Sequence, residues 1–480
     1  MATIDSLTFD NAYSRLPDLF HQRVAPTPFP SPWLVGFSRE AAALIDLDPS
    51  VAGSPEFVEV FSGNRTLPGM TPIAMKYAGH QFGGYVPQLG DGRAILLGQV
   101  RNRAGESWDL HLKGSGPTAF SRMGDGRAVL RSSIREFLAS EAMYHLNVPT
   151  TRALCVIGGQ HGVYRETEEP GAVVVRMAPS HVRFGSFEVF HYRGQHEAVA
   201  LLADHVIDAH FPALAEDHPG VDRYAAFFRE VCRRTARLMA MWQSVGFMHG
   251  VMNTDNMSIL GSTLDYGPYG FMEEFDPGHI CNHSDESGRY AFDQQPRIGY
   301  WNLGCLANAL SSLIPAEELQ STLEGYPDDF NGALNFLMSG KLGLFSRSPE
   351  VERTDTALWM DLLGEMAGHK LDYTDTFRGF CRGIIPDALG EWGDRYRARL
   401  GNDELPASRR QELMLANNPK YILRNWLAQV AIEKAERGDA SEVARLLDVL
   451  RRPFDEQPEM EHYAQPAPAW AKDLVVSCSS

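Results

Sequence analysis

Two periods of apolar residues run along this chain, and the change from one to the other divides it. Between about residues 70 and 185, short apolar runs sit between Gly-rich turns. Ala94-Ile-Leu-Leu-Gly-Gln-Val100 and the alternating Trp108-Asp-Leu-His-Leu-Lys113 read as strands joined by a turn over 101–106, and Cys155-Val-Ile and Ala172-Val-Val-Val175 as two more. One helix interrupts them over 131–146, where Ile134, Phe137, Leu138, Ala142 and Met143 form an apolar stripe. After Phe187 the period becomes helical, and helices are predicted over 197–209, 223–245, 301–313, 321–339, 356–367, 421–437 and 441–450. Residues 1 to about 60 read as an irregular lead with a Pro-rich patch (Pro26, Pro28, Pro30, Pro32) and one helix near 39–45. The expected fold is therefore α+β. It has an N-terminal extension over 1–60, a β-rich lobe over 61–186, a helical lobe over 187–470 and a flexible tail over 471–480 that contains Cys478.

One stretch of the helical half breaks its pattern. Phe247 to Gly267 carries Asp255-Asn256, a short apolar run, a turn signal at Gly261-Ser262 and then Asp265-Tyr-Gly267. A short hairpin there brings two carboxylates and an amide together, a hard-oxygen set suited to Mg²⁺. Protein kinases use this layout, and a β-rich lobe followed by a helical lobe is kinase-like architecture. A kinase, however, places its catalytic Asp five residues before the metal-binding Asn. That position is Val251.

Composition narrows the classes. The chain has 480 residues, 44% hydrophobic and 22% charged, which is ordinary for a globular protein of two or three domains. With 44 basic and 61 acidic residues its net charge is −17, so its surface repels nucleic acids and anionic membranes, and neither is expected as a partner. No apolar run reaches membrane-spanning length, and the N-terminus has no targeting signature, so a cytoplasmic location is expected. The six cysteines form no Cys-x-x-Cys pair. His279-Ile-Cys281-Asn-His283 looks metal-rich, but its spacing is too tight for one tetrahedral zinc site. His249 reads as a packed loop histidine.

The remaining candidates follow from what a triphosphate needs. Gly90-Asp-Gly92-Arg93 precedes a strand, and its glycines allow close backbone approach to phosphate, although a plain hairpin turn reads equally well. The same pentapeptide recurs as Gly124-Asp-Gly-Arg-Ala128. Lys113 ends a strand as a kinase phosphate lysine does, with Glu136 as its ion-pair partner. The competing reading makes Ser133-Ile-Arg-Glu136 a capping box. Arg176 and Arg183 have no kinase counterpart. Beside Lys113 and Arg93 they would put four cations near one triphosphate, which suits pyrophosphate as leaving group and attack at the α-phosphorus. Asp255 then becomes the proton acceptor, and Asn256 and Asp265 the metal ligands.

The chain resembles the selenoprotein O family, also called the YdiU family of pseudokinases. The matching stretches are 77–94 (Tyr-Ala-Gly-His-Gln-Phe-Gly-Gly-Tyr and on to Ala94), 112–118, 249–259 and 418–429. The resemblance implies a kinase-like fold that binds ATP in a reversed orientation and transfers AMP to Ser, Thr or Tyr hydroxyls of proteins. It implies that Gly90, Gly92, Arg93, Lys113, Asp125, Gly126, Arg176 and Arg183 contact the nucleotide. Asp255 would be the proton acceptor, and Asn256 and Asp265 would bind Mg²⁺. Manganese-dependent UMP transfer and a non-catalytic ATP-binding scaffold are the alternatives. Some family members end in selenocysteine where this chain has Cys478, and a regulatory disulfide between Cys478 and Cys281 is the corresponding expectation. A monomer is expected.

Overall fold

The computed structural model describes residues 2–165, 167–218, 220–345, 348–403, 405–471, 474 and 476. Its centre is a nine-stranded antiparallel sheet built from the first 178 residues. In chain order the strands are β1 (Phe9–Asp10), β2 (His21–Arg23), β3 (Trp33–Phe37), β4 (Ile73–Met75), β5 (Gly79–Gln81), β6 (Gly84–Val86), β7 (Ala94–Arg101), β8 (Ser107–Lys113), β9 (Ala128–Val129), β10 (Arg152–Tyr164) and β11 (Glu168–Ala178). The order across the sheet is β2-β4-β7-β8-β11-β10-β3, with β1 beside β7 and β9 beside β11, while β5 and β6 form a separate hairpin.

The residues of the lead are less irregular than their sequence suggests. Strands β1, β2 and β3 all pair into the sheet, and two short helices, α1 (Arg39–Ala43) and α2 (Pro55–Phe61), add apolar cover to it. Strands β1 and β2, of two and three residues, carry no readable alternation, and the partners of all three lie 50 or more residues away in sequence. Pattern alone could not find them.

The sheet is buried on both faces, so β10 and β11 read as continuous apolar runs. Val173, Val175 and Met177 enter the core beneath α1 and α2, whereas Ala172 and Val174 join the larger core with α3 (Leu130–His145). Strand alternation thereby puts Arg176 on the α3 side with Val174, and Val174 is opposite Lys113. That register is what assembles the site.

Beyond Arg183 the chain is mainly helical, beginning with α4 (Phe184–His191), which the sequence reading missed. The helices over 196–210, 222–245 and 441–450 fall close to where periodicity puts them. The expected helix over 321–339 is two, Ala316–Glu324 and Tyr326–Leu342, because Pro327 lacks an amide hydrogen and sits in the first turn of the second. The helix expected from 421 starts only at Asn425, since the backbone of Arg424 is extended. Helices Tyr373–Phe380, Gly390–Gly401 and Ala407–Asn417 were not anticipated, and with Pro349–His369 they enclose a third apolar core. No helix of the described residues is long and apolar enough to cross a membrane.

Candidate active site

The long helix Asp222–Val245 ends on Gly246 in the left-handed conformation (φ 69°). The chain then makes the two-residue strand Phe247–Met248, which pairs with Gly270–Phe271 and so closes the loop 249–269 at its base. His249 is a packed residue, as expected: it is buried, stacks on Trp242 and hydrogen-bonds the Leu264 carbonyl through Nε2 at 2.9 Å. The anticipated hairpin inside this loop is reduced to a single bridge between Met257 and Thr263, with Gly261 turning at φ 72°. Asp255 and Asn256 lie in a 3-10 turn (Thr254–Asn256) before that bridge, and Asp265 follows it at φ 61°, a conformation Asp tolerates better than most residues.

A cavity of about 620 Å³ opens between this loop and the sheet. Every residue proposed from sequence for nucleotide, metal or proton transfer lines it: Gly90, Gly92, Arg93, Lys113, Asp125, Gly126, Arg176, Arg183, Asp255, Asn256 and Asp265. Both copies of the repeated pentapeptide contribute. Gly90 needs its hydrogen side chain, since its φ is 126° and a Cβ would meet the Phe120 ring at 2.5 Å. At Gly126 (φ 67°) a Cβ would stand 2.1 Å from the Gly116 carbonyl oxygen. Seven basic side chains line the cavity against four aspartates, within a chain of net charge −17. An anionic ligand suits that surplus. Two of the seven, Arg122 and Arg165, gave no signal in sequence, and a third, Arg127, showed only as part of the second pentapeptide. Arg165 holds Asp125 through a two-pronged pair at 2.9 and 3.0 Å, which, with the Arg127 amide, keeps that carboxyl below its ordinary range.

Charges interlock at the back of the cavity. Lys113 Nζ donates to Glu136 Oε2 at 2.6 Å, and Arg176 grips both oxygens of the same carboxylate. Helix α3 begins at Leu130, so Glu136 lies well inside it and the capping-box reading fails. Arg176 also reaches Asp265 Oδ1 at 2.5 Å, and Arg183 pairs with Asp265 Oδ2. Arg183 further donates to the Asp255 carbonyl oxygen at 2.6 Å, and its guanidinium lies 4.7 Å over the Tyr77 ring. Burial pulls the Lys113 ammonium down to about 8, with Glu136 opposing and the neighbouring arginines assisting. Burial works to raise Asp265, yet Arg176, Arg183 and Lys113 overcome it and hold its carboxyl well below the usual range. The two arginines expected on phosphates thus lie at the cavity with carboxylates as their protein partners.

Asp255 behaves oppositely. Burial raises its carboxyl to about 7, against the pull of Arg183 and a hydrogen bond from Gln81 Nε2 at 3.2 Å to Oδ2. It is 7% exposed, and its Oδ1 has no hydrogen-bond partner among the described residues. A carboxyl that exchanges its proton near neutrality is suited to general-base work. Asn256 spends its amide nitrogen on the Val251 carbonyl at 3.0 Å, which leaves Oδ1 as its free end. That oxygen and the ionised Asp265 carboxylate are a donor set that fits a hard divalent cation such as Mg²⁺ or Mn²⁺. Val251, where a kinase has its base, also lines the cavity.

His279, Cys281 and His283 do not gather into a metal site among the described residues. The Cys281 thiol hydrogen-bonds the Pro268 carbonyl at 2.9 Å. Cys478 lies outside the described residues, so the pairing expected of it has no structural account here. The Val476 carbonyl does accept a hydrogen bond from the His283 amide at 3.0 Å.

The cleft offers a surplus of cations to an anionic ligand and, at Asn256 and Asp265, oxygen donors to a hard cation. Residues 3–451 match the family described as protein adenylyltransferase SelO. Proteins named protein nucleotidyltransferase YdiU from Myxococcus xanthus (strain DK1622) and Thioalkalivibrio sulfidiphilus (strain HL-EbGR7) are 55% and 54% identical to the chain, over the whole of both sequences in each case. One from Thiobacillus denitrificans (strain ATCC 25259 / T1) is 54% identical over the same full extent. The chain belongs to the SelO family and is an enzyme of the nucleotidyltransferase class.

Proposed function

We propose that this protein transfers AMP from ATP to Ser, Thr or Tyr hydroxyls of other proteins and releases pyrophosphate. The observation that carries the reading is Asp255: a buried carboxyl at the cavity, next to Asn256, with a proton affinity near neutrality, in a chain whose kinase base position is Val251. Asp255 takes the proton of the acceptor hydroxyl as its oxygen attacks the α-phosphorus, and the bond from that phosphorus to pyrophosphate breaks. The surplus of cations then faces the charge that the departing pyrophosphate gains. Asn256 and Asp265 would hold Mg²⁺ or Mn²⁺, which supplies further charge neutralisation when bound. Gly90, Gly92, Arg93, Asp125 and Gly126 would cradle the nucleotide, with Lys113, Arg176 and Arg183 on its phosphates.

The same reading takes β4 to β11 with α3 as the β-rich lobe (61–186), the later helices as the helical lobe (187–470) of a kinase-like monomer, and 1–60 and 471–480 as extensions, the first of which adds β1, β2 and β3 to the sheet. A cytoplasmic setting belongs to it as well. The test is product analysis with Asp255→Asn as control. Wild type with ATP, Mg²⁺ and a hydroxyl-bearing acceptor protein is expected to release pyrophosphate in step with modification, and Asp255→Asn to lose roughly 10²–10⁴-fold in rate while still binding ATP. Release of ADP in step with modification would refute it. A parallel arm with UTP and Mn²⁺ reads the alternative nucleotide.

A further inference from the structure

Hairpin β5–β6 lies outside the nine-stranded sheet, touching the large apolar core through Tyr85, and it has no part in the scheme above. Its turn, Phe82-Gly83, has positive φ at both residues (49° and 87°), the two-residue hairpin geometry that Phe disfavours. Phe82 is 44% exposed there, so burial of its ring does not account for the strain. What the hairpin touches is the loop that carries Asp255. The Phe82 amide donates to Asn253 Oδ1 at 3.2 Å and to the Tyr290 hydroxyl at 3.0 Å. The His80 amide donates to Thr254 Oγ1 at 2.7 Å. His80 Nδ1 bonds Oε1 of the fully buried Glu188 at 2.6 Å, and the Thr254 hydroxyl donates to Oε2 of the same carboxylate. Gln81 Nε2 reaches Asp255 Oδ2 at 3.2 Å. A Cβ on Gly79 would stand 2.4 Å from Asp255 Oδ1, so glycine alone lets the strand lie against that carboxyl. Residues 79 to 82 thus each meet one of residues 253 to 255.

We propose that this hairpin is a clamp on the proton-accepting loop and that Gln81 is a positioning residue, whose side-chain amide fixes the Asp255 carboxyl in the orientation the acceptor hydroxyl meets. The inference rests on the reading of Asp255 as proton acceptor. A carboxyl is free to turn about its last bond, and a misplacement of about 1 Å at a reacting group costs on the order of a hundredfold in rate. Gln81 lines the cavity beside Asp255 and holds it from one side, whereas Arg183 holds only its backbone.

The experiment is a double-mutant cycle of Gln81→Met, which keeps length and bulk without the donor, with Asp255→Ala. Two readouts are taken: kcat of nucleotide transfer, and unfolding free energy from denaturant titration. Gln81→Met is expected to lower kcat by about 10- to 100-fold with the Kd for ATP within about twofold of wild type. In the Asp255→Ala background the same change should have no further effect on kcat, and the unfolding cycle should show coupling between the two residues. Gly79→Ala should reproduce the loss in kcat. Equal effects of Gln81→Met in both backgrounds, or an unchanged kcat, would overturn the clamp. So would an unfolding cycle without coupling, and that readout stands even if the wild type transfers phosphate in place of nucleotide or transfers nothing.

Discussion

Burial holds the Asp255 carboxyl at about 7, against an ordinary value of 3.8, and two consequences follow at the scale of this one residue. Transfer should rise with pH through about 7 as the base loses its proton, and a rate profile of kcat from pH 5 to 9 checks it; a profile flat across that range would remove Asp255 from the role. The second is a cost in stability. Between about pH 4 and 7 the folded chain keeps the Asp255 proton while the unfolded chain has lost it, so this residue destabilises the fold progressively as pH rises through that window. Asp255→Asn should therefore raise Tm by about 2–4 °C at pH 8, and the gain should vanish near pH 4. Thermal melts at the two pH values decide it. Asp265 is the contrast: three cations keep it ionised, so it stays a ready ligand at any pH the enzyme meets.

Helix α3 is the element on which the site hangs, and its two ends of charge make separable claims. Glu136 neutralises Lys113 and Arg176, both buried, so Glu136→Ala leaves Lys113 without its ion-pair partner and Arg176 with Asp265 alone, and should destabilise the protein by about 3–5 kcal/mol and abolish ATP binding. One turn further on, Glu141 takes both prongs of Arg152 at 2.7 Å and the Ser38 hydroxyl at 2.6 Å, away from the cavity. Arg152→Ala should cost a similar amount of stability, by denaturant titration, yet leave the KM for ATP unchanged. The same helix is tied to the far side of the site. Arg135 donates to the Tyr269 carbonyl at 2.7 Å and to Asn425 Oδ1 at 3.2 Å. This gives the 418–429 stretch a structural meaning: Asn418 bonds the Lys341 carbonyl, and Arg424 gathers Glu273, Asp372 and Asp375.

For the molecule as a whole, the sequence was most legible where one period persists. Strands β7 and β8, helix α3 and the long helix ending at Val245 follow from alternation or from an apolar stripe, and Asp255, Asn256 and Asp265 stood out because they interrupt the helical pattern. Gln81, Arg165 and the lead strands were illegible for a shared reason: each acts through a partner 40 or more residues away, and local pattern holds no record of it. Residue 476 of the tail is held in the same non-local way. The His283 amide bonds the Val476 carbonyl, and the disulfide between Cys281 and Cys478 that the family resemblance implies is a separate expectation, for oxidising conditions. A thiol titration should count two fewer free thiols than after reduction, and Cys281→Ser should erase the difference.

The central claim is transfer from the α-phosphorus, and one pair of labelling reactions tests it directly. Purified protein with Mg²⁺ and an acceptor protein receives ATP labelled at the α-phosphate in one reaction and at the γ-phosphate in the other, with Asp265→Ala as control. Label retained on protein from the α position alone, and lost in the variant, is the expected result. Label retained from the γ position alone would contradict the account, and with it the roles given to Asp255, Arg176 and Arg183.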